Sequence, residues 1–402
     1  MTQRRQILLF FGAVLCMSAA FQMHEVFFNN FLDARFEITE RGRGLLELPR
    51  ELPGFLLVVM TGLLAMMPVT RMAVIGLVVF SGGVFAITAW GDEFSRMVVF
   101  MMVASAGLHL LQPIGSSIAL ALSEPKERGR RLGQMGLVGT LGGIGGSALV
   151  WLIFHLWKGG YGVAFVSAGV VALGAALFFV VLRVPSLHQP RARLVFKAKY
   201  KLYYLMELIF GARKQIFITF GPWVLIRIYG EDPTLLARLF IAASIIGLLF
   251  KPWIGAMIDR HGERVVLIAE GFTLAVVCMG YGYAAWVAGL FTDDADTARR
   301  TASWIARCCF VADNLLFAVG TARSVYVSRL SESHGETTST LAMGISMNHV
   351  ISMSIPFFAG GVWMAFGYDR VFLLATGLAL VSAAVSFLVP RKRHWDAKDA
   401  AA

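Results

Sequence analysis

Apolar runs of about 20 residues, each long enough to cross a bilayer as a helix, recur along almost the whole chain with only short polar breaks between them. Hydrocarbon offers the backbone no water to bond, so only helices and closed barrels can span it. A barrel is excluded, because its strands alternate apolar and polar side chains over only about ten residues. The composition agrees: 57% of the 402 residues are apolar and 15% charged, where soluble domains hold about 25% charged residues. A soluble enzyme, a disordered chain and a disulfide scaffold are thereby excluded. Cys16, Cys278, Cys308 and Cys309 all lie in apolar runs without zinc spacing and read as small buried hydrophobes.

The breaks predict an all-α polytopic membrane protein of twelve transmembrane helices, near 6–28, 45–67, 72–90, 97–122, 132–156, 161–183, 202–228, 234–258, 265–288, 302–325, 339–362 and 369–389. The first run follows Arg4 and Arg5 but is too long for a signal-peptide core and has no convincing cleavage site, so it reads as a retained helix. The net charge of +11 is distributed as orientation rules require. With the N-terminus inside, the even-numbered breaks carry Arg71, Lys126, Arg128, Arg130, Arg131, Arg183, Arg191, Arg193, Lys197, Lys199, Lys201, Arg260, Arg264 and Arg329, and the tail adds Arg391, Lys392, Arg393 and Lys398. The opposite breaks are richer in acids: Asp33, Glu37, Glu40, Asp92, Glu93, Asp293, Asp294 and Asp296. They also hold Arg35, Arg41, Arg43, Arg299 and Arg300. This asymmetry accounts for the basic excess without nucleic acid. It points to an integral protein of a bacterial cytoplasmic (inner) membrane with both termini in the cytoplasm. The longest and most basic break, 184–201, contains Pro185 and Pro190. It divides an N-terminal bundle (1–183) from a C-terminal bundle (202–390), with a cytoplasmic tail at 391–402, and reads as a flexible connector facing anionic lipid.

The halves echo one another. Gly160-Tyr161 followed by Phe165 opens the sixth span, and Gly367-Tyr368 followed by Phe372 opens the twelfth. Those spans end at Val184-Pro185 and Val389-Pro390. A six-plus-six duplication follows, an arrangement common in secondary transporters. After the eighth span comes Gly255-Ala-Met-Ile-Asp259-Arg260-His-Gly262-Glu-Arg264. It resembles the cytoplasmic loop signature of the major facilitator superfamily: Gly, three residues, Asp-Arg, one residue, Gly, one residue, Arg. The glycines permit a tight turn, and the acid and arginines can pair as a latch. The equivalent stretch after the second span keeps only Gly62 and Arg71. Pro125-Lys-Glu-Arg128-Gly129-Arg130 before the fifth span is also similar to the superfamily.

The resemblance covers nearly the whole chain. It implies two pseudo-symmetric six-helix bundles around a central cavity, alternating access, and a gating role for Gly255, Asp259, Arg260, Gly262 and Arg264. The proton-driven drug exporters of that superfamily carry Gly-Pro, two residues, Gly-Gly in the fifth span. Here Leu141-Gly142-Gly143-Ile144-Gly145-Gly146 lacks the proline, and its glycines read as close helix packing. The exporters' arginine in the fourth span is also missing, since Gly107 follows Val103, Ala104, Ser105 and Ala106.

Ionisable groups inside a span are costly and face a wet interior. Ser18, Gln22, Glu25 and Asn29 fall on one stripe of the first span, and Ser105, His109, Gln112 and Ser116 on one stripe of the fourth. Glu207, Gly211 and Lys214 align in the seventh, flanked by Arg213 and Gln215. Ser303, Arg307, Asn314 and Thr321 align in the tenth, with Asp313 beside Asn314, and His349 lies on a polar stripe of the eleventh. In the superfamily, spans one, four, seven and ten line the cavity. Arg213 and Lys214 lie about 100° apart on a helix, so one can meet an anionic substrate while the other pairs with Asp313. Arginine suits a carboxylate or phosphate through its planar fork. Glu25, Glu207 and Asp313 are candidates for proton coupling, and His109 and His349 can serve similarly.

Blander roles stand beside these: an Arg213–Asp313 or Lys214–Asp313 ion pair, a Glu207 reaching the interface, packing histidines, and an Asn348 that bridges helices. In Glu47-Leu-Pro49-Arg50-Glu51-Leu-Pro53, Glu47 and Arg50 can pair in a proline-bearing helix start. The alternative is an external gate meeting His24.

His24-Glu25 would begin a zinc-protease motif, but the second histidine's place is taken by Phe28. No nucleophile elbow, phosphate loop or dinucleotide fingerprint occurs in a strand–turn–helix setting, so no enzyme, cofactor or metal is expected. The expectation is a monomeric, proton-coupled secondary carrier of a small organic solute, leaning to anions. The alternative is proton-driven export of lipophilic or cationic compounds. A membrane-embedded enzyme or a non-transporting receptor ranks below both.

Overall fold

The computed structural model describes residues 3–64, 66–124, 127–184, 196–332 and 334–392. Pro125 and Lys126, the connector residues Pro185, Pro190, Arg191 and Arg193, and the tail residues Arg393 and Lys398 lie outside the described residues. Helices and short turns make up all the regular structure that is described. They run α1 (Gln3–Phe36), α2 (Glu40–Leu45), α3 (Glu47–Phe55), α4 (Leu57–Leu63), α5 (Val69–Trp90), α6 (Phe94–Ala121), α7 (Arg128–Trp151) and α8 (Tyr161–Val181). Then follow α9 (Lys201–Arg227), α10 (Pro233–His261), α11 (Glu263–Gly282), α12 (Ala284–Gly289), α13 (Ala295–Leu316), α14 (Gly320–Leu330), α15 (His334–Phe366) and α16 (Tyr368–Ser386).

Among the described residues, ten helices are long and apolar enough to cross a membrane. Two expected crossings fall outside that set for different reasons. The second is built from the short pieces α3 and α4, which meet at Leu56, just past the in-helix Pro53. The seventh, α9, is a continuous helix whose Glu207, Arg213, Lys214 and Gln215 lower its hydropathy.

The chain clusters into two compact units. The first comprises Met1–Glu37, Pro49–Ala192 and Asp232–Ser244, and the second Ile38–Leu48, Arg193–Glu231 and Ile245–Ala402. Two short segments therefore depart from chain order: Ile38–Leu48 belongs with the second unit and Asp232–Ser244 with the first. In the first unit α1 packs against α7 and α8, and α5 against α6 and α8. In the second, α9 packs against α15 and α16, and α11 against α16 and α13.

The repeated Gly-Tyr…Phe pattern has a physical counterpart in each unit. Gly160 precedes α8 and Gly367, at φ 94°, precedes α16. The phenylalanine four residues after each tyrosine enters an aromatic cluster. Phe165 lies edge-on to Phe27 and Phe31, with ring centroids 4.8 and 4.9 Å apart. Phe372 lies 5.6 Å from Phe217 and 4.8 Å from Tyr281.

Helices in lipid gain little from burying apolar surface against one another, so close backbone approach matters more. The glycines of α7 supply it. A Cβ on Gly142 would strike the Leu15 carbonyl of α1, and one on Gly146 the Ala19 carbonyl. Gly145, one residue away, faces open space. Gly146→Val is therefore expected to lower the melting temperature of the detergent-purified protein, by the equivalent of about 1–3 kcal/mol for overpacking. Gly145→Val should stay within about 0.5 kcal/mol of the parent. Equal melting temperatures for the two variants would show that α1 and α7 are not in this contact.

Candidate functional site

Polar side chains at membrane depth collect into a separate group in each unit. In the first unit, α1, α3 and α6 supply the group. Arg50 lies between two acids, its guanidinium 3.8 Å from Glu25 and 3.5 Å from Glu51. The other oxygen of Glu51 lies 3.7 Å from His109 Nε2. The imidazole is oriented from behind, with Nδ1 2.9 Å from the Ser105 carbonyl and 3.0 Å from its hydroxyl. That hydroxyl also donates to the Arg50 carbonyl, joining α6 to α3. Glu25 remains 39% exposed and Arg50 18%. Asn29 is buried further along α1. Gln22 lies opposite Gly143, and its buried Nε2 meets no partner among the described residues. His24 joins the aromatic cluster instead, stacked 4.6 Å from Phe28. A cavity of about 320 Å³ opens in the same unit between α1, α6 and α7. Its wall is mostly apolar, with Met17, Phe21, Leu108, Leu111 and Met135, and with Gln112 among its few polar groups.

In the second unit α9 is the hub. Arg213 is buried and bound to Asp313 of α13, with side-chain exposures of 2% and 1%. Lys214, turned away from it, is half-buried and donates to Asn348 Oδ1 of α15 at 2.8 Å. Of the arrangements that the sequence allows, the structure thus pairs Arg213 with the acid and leaves Lys214 to the bridging amide. Glu207 meets Arg323 of α14 at 3.2 Å, and Arg323 reaches Glu270 of α11 at 2.9 Å. Asn314 turns back on its own helix, donating to the Phe310 carbonyl at 2.8 Å. Arg307, on the same face of α13 as Ser303, binds Glu231. His349 is half-buried on α15.

The Glu47 carboxylate takes Arg43, one turn earlier, at 2.6 Å, and accepts from Gln215 Nε2 of α9 at 2.9 Å. The start of α3 follows directly on α2, so Arg43 stands at the favourable i, i+4 spacing. Sequence reading also missed Glu270 and Arg323. Each is an ionisable residue inside an apolar run, which was a usable signal.

The loop after α10 is held at backbone oxygens. Gly262, at φ 82°, makes the turn into α11. Lys392 donates to the Asp259 carbonyl at 2.6 Å, and Arg264 to the Val389 carbonyl at 3.3 Å. The fully buried Glu263 takes the ion pair with Arg329, at 2.6 Å. Arg260 and Gly255 lie within α10. Before α9, Lys197 and Lys199 clasp Glu336 at 2.7 and 2.8 Å. Their hydrogen bonds hold that carboxyl down at about 2, below its ordinary 4.5. The stabilisation is present above the ordinary carboxylate range and is lost as pH falls through the depressed value.

A buried ion pair is strongly destabilised when one partner alone is removed, by about 3–5 kcal/mol, whereas replacing both can be neutral. Asp313→Asn is therefore expected to lower thermal stability sharply, and Arg213→Met combined with Asp313→Leu to recover most of the loss. A melting temperature unchanged by Asp313→Asn would show that the pair is not buried as described.

Comparison with known proteins follows from this geometry. The family model of the Major Facilitator Superfamily matches residues 11–347. No curated protein matches the sequence. Among solved structures, a point mutant of the nucleoside transporter NupG superposes with a TM-score of 0.77 at 13% identity, over 96% of this chain and 99% of that one. A D-xylose–proton symporter gives 0.72 at 13% identity, over 95% and 97%. A POT family transporter in complex with 5-aminolevulinic acid gives 0.74 at 10% identity, over 96% of both chains. At these identities the likeness is one of fold.

Proposed function

The chain belongs to the Major Facilitator Superfamily of membrane transporters, and from that premise we propose that it carries a small organic acid by alternating access, coupled to protons. It is an integral membrane protein; a bacterial inner membrane with both termini in the cytoplasm is the setting that fits its charge asymmetry. The observation that carries the anionic reading is Lys214. Its ammonium is half-buried in the interior of the second unit and donates to the Asn348 amide oxygen at 2.8 Å. Arg213 is buried and ion-paired with Asp313.

In the first unit, the cavity between α1, α6 and α7 has a size at the lower end of small-molecule sites of about 300–1,000 Å³. The proton coupling named in the description of the xylose symporter supports the coupled reading by analogy of fold alone. Glu25, Glu207 and Asp313 are the carboxylates that sequence reading offers for it.

One observation favours a second reading. Glu25 is 39% exposed and can act as counter-charge to a lipophilic cation in an exporter. The two readings separate in a thermal-shift screen of the purified full-length protein. Ligands would be matched carboxylates, amines and alcohols sharing one apolar body, because a ligand bound only by the folded protein raises its apparent stability. Stabilisation by the carboxylate is expected, lost in Lys214→Gln and kept in Glu25→Gln. Stabilisation by the amine that disappears in Glu25→Gln would overturn the anionic reading in favour of export.

A further inference from the structure

The second unit buries more carboxylates than guanidiniums. Its α9–α11–α13–α14 network holds two arginines, Arg213 and Arg323, against three acids, Glu207, Glu270 and Asp313. Arg213 and Asp313 cancel as a one-to-one pair. The surplus falls on Arg323, which alone serves Glu207 at 3.2 Å and Glu270 at 2.9 Å. The side chain of Glu270 is 2% exposed, and its Oε1 is buried with no hydrogen-bond partner among the described residues. An ionised carboxylate left in such a place carries a desolvation cost of several kcal/mol, and two acids on one cation cannot both ionise cheaply. A proton relieves both problems.

We infer that Glu207, Arg323 and Glu270 form a proton-binding site, in which two carboxylates share one guanidinium and one proton. The inference rests on the proton-coupled reading above for its role in transport, but not for the existence of the site. The other groups facing Glu270 are few. From α9 come Arg213 and, beyond Glu207, the Tyr203 hydroxyl. From α13 comes Asp313, and from α11 itself Cys278 beside Arg213. The α16 helix meets this part of α11 at Ala383, against Gly271. Arg213 also acts on Glu270 from a distance, but it is hydrogen-bonded to Asp313, so the network as a whole keeps one more acid than it has cations.

The parts have distinct tasks. The Phe210 ring lies 3.7 Å from the Arg323 guanidinium carbon and holds the cation face-on, so the change of state belongs to the acids. Glu207, at 14% exposure, is the acid open to water and the route of entry. A proton from the aqueous phase adds to a carboxylate oxygen as an O–H bond, the set passes from one net negative charge to neutral, and the guanidinium stays with the acid that remains ionised. Loss of the proton to water restores the starting charge.

The test uses the full-length protein in proteoliposomes without substrate. Infrared difference spectra between acid and alkaline buffers read the carbonyl stretch of a protonated carboxyl, and a pH-sensitive dye counts the protons taken up. The parent should bind about one proton per chain in this transition beyond the sum for Glu270→Gln, with the carboxyl band lost in Glu270→Gln and in Glu207→Gln. Both variants leave Arg323 with one acid, so the charge is balanced and the fold is kept. A band and proton count unchanged in both variants would overturn the site, whatever transport does. Flux of a screened acid under an imposed pH gradient is measured in parallel. Flux that ignores the gradient in the parent, with the band still lost in the variants, would remove the coupled reading and leave the proton site standing. Gradient-driven flux that becomes insensitive to pH in Glu270→Gln would support both.

Discussion

A guanidinium taken out of water has to be met by a carboxylate, and in the second unit that requirement ties one helix to most of its neighbours. α9 reaches α13 through Arg213 and Asp313, and α14 through Glu207 and Arg323. Through Arg323 it also reaches Glu270 of α11. Lys214 binds Asn348 of α15, and Gln215 binds Glu47 at the start of α3. A long helix rich in charges is thus tied to several neighbours by them. Its polar residues would forbid it a place among lipid tails, and the same residues secure its place inside a bundle.

The first unit is tied differently. Its α1–α7 contact depends on Gly142 and Gly146 letting backbones meet, and its α1–α8 contact on the aromatic cluster around Phe165. Charge enters where α3 and α6 approach α1, through Arg50, Glu25, Glu51 and His109. The duplication visible in sequence therefore preserves the helix pairings and the Phe165/Phe372 anchors, while the ionic content of the two units has diverged.

Much of this was legible because the governing cost is local. An apolar run declares a crossing from its own residues, and a stripe at steps of three or four declares a wet face. Gly142 and Gly146 read as packing from spacing alone, and Arg213 with Asp313 read as one of two possible pairs. What was not legible depends on which helices come together. Glu270 and Arg323 are 53 residues apart and meet only when α11 and α14 pack. Arg50 passed as part of a helix start because its acids, Glu25 and Glu51, lie on another helix and one residue ahead. The Arg43–Glu47 pair depends on the near-continuity of α2 and α3, a backbone detail that no residue pattern announces.

The charge groups fall into two kinds, and the difference bears on what each can do. Arg213 and Asp313 are matched one to one and sealed. Such a pair has nothing to exchange, and disturbing it costs stability. Around Arg323 one cation stands between two acids, one of which, Glu207, is 14% exposed. On the reading proposed above, a set with a surplus acid and an exposed edge is where a proton would be taken up, while a matched pair holds the helices around it.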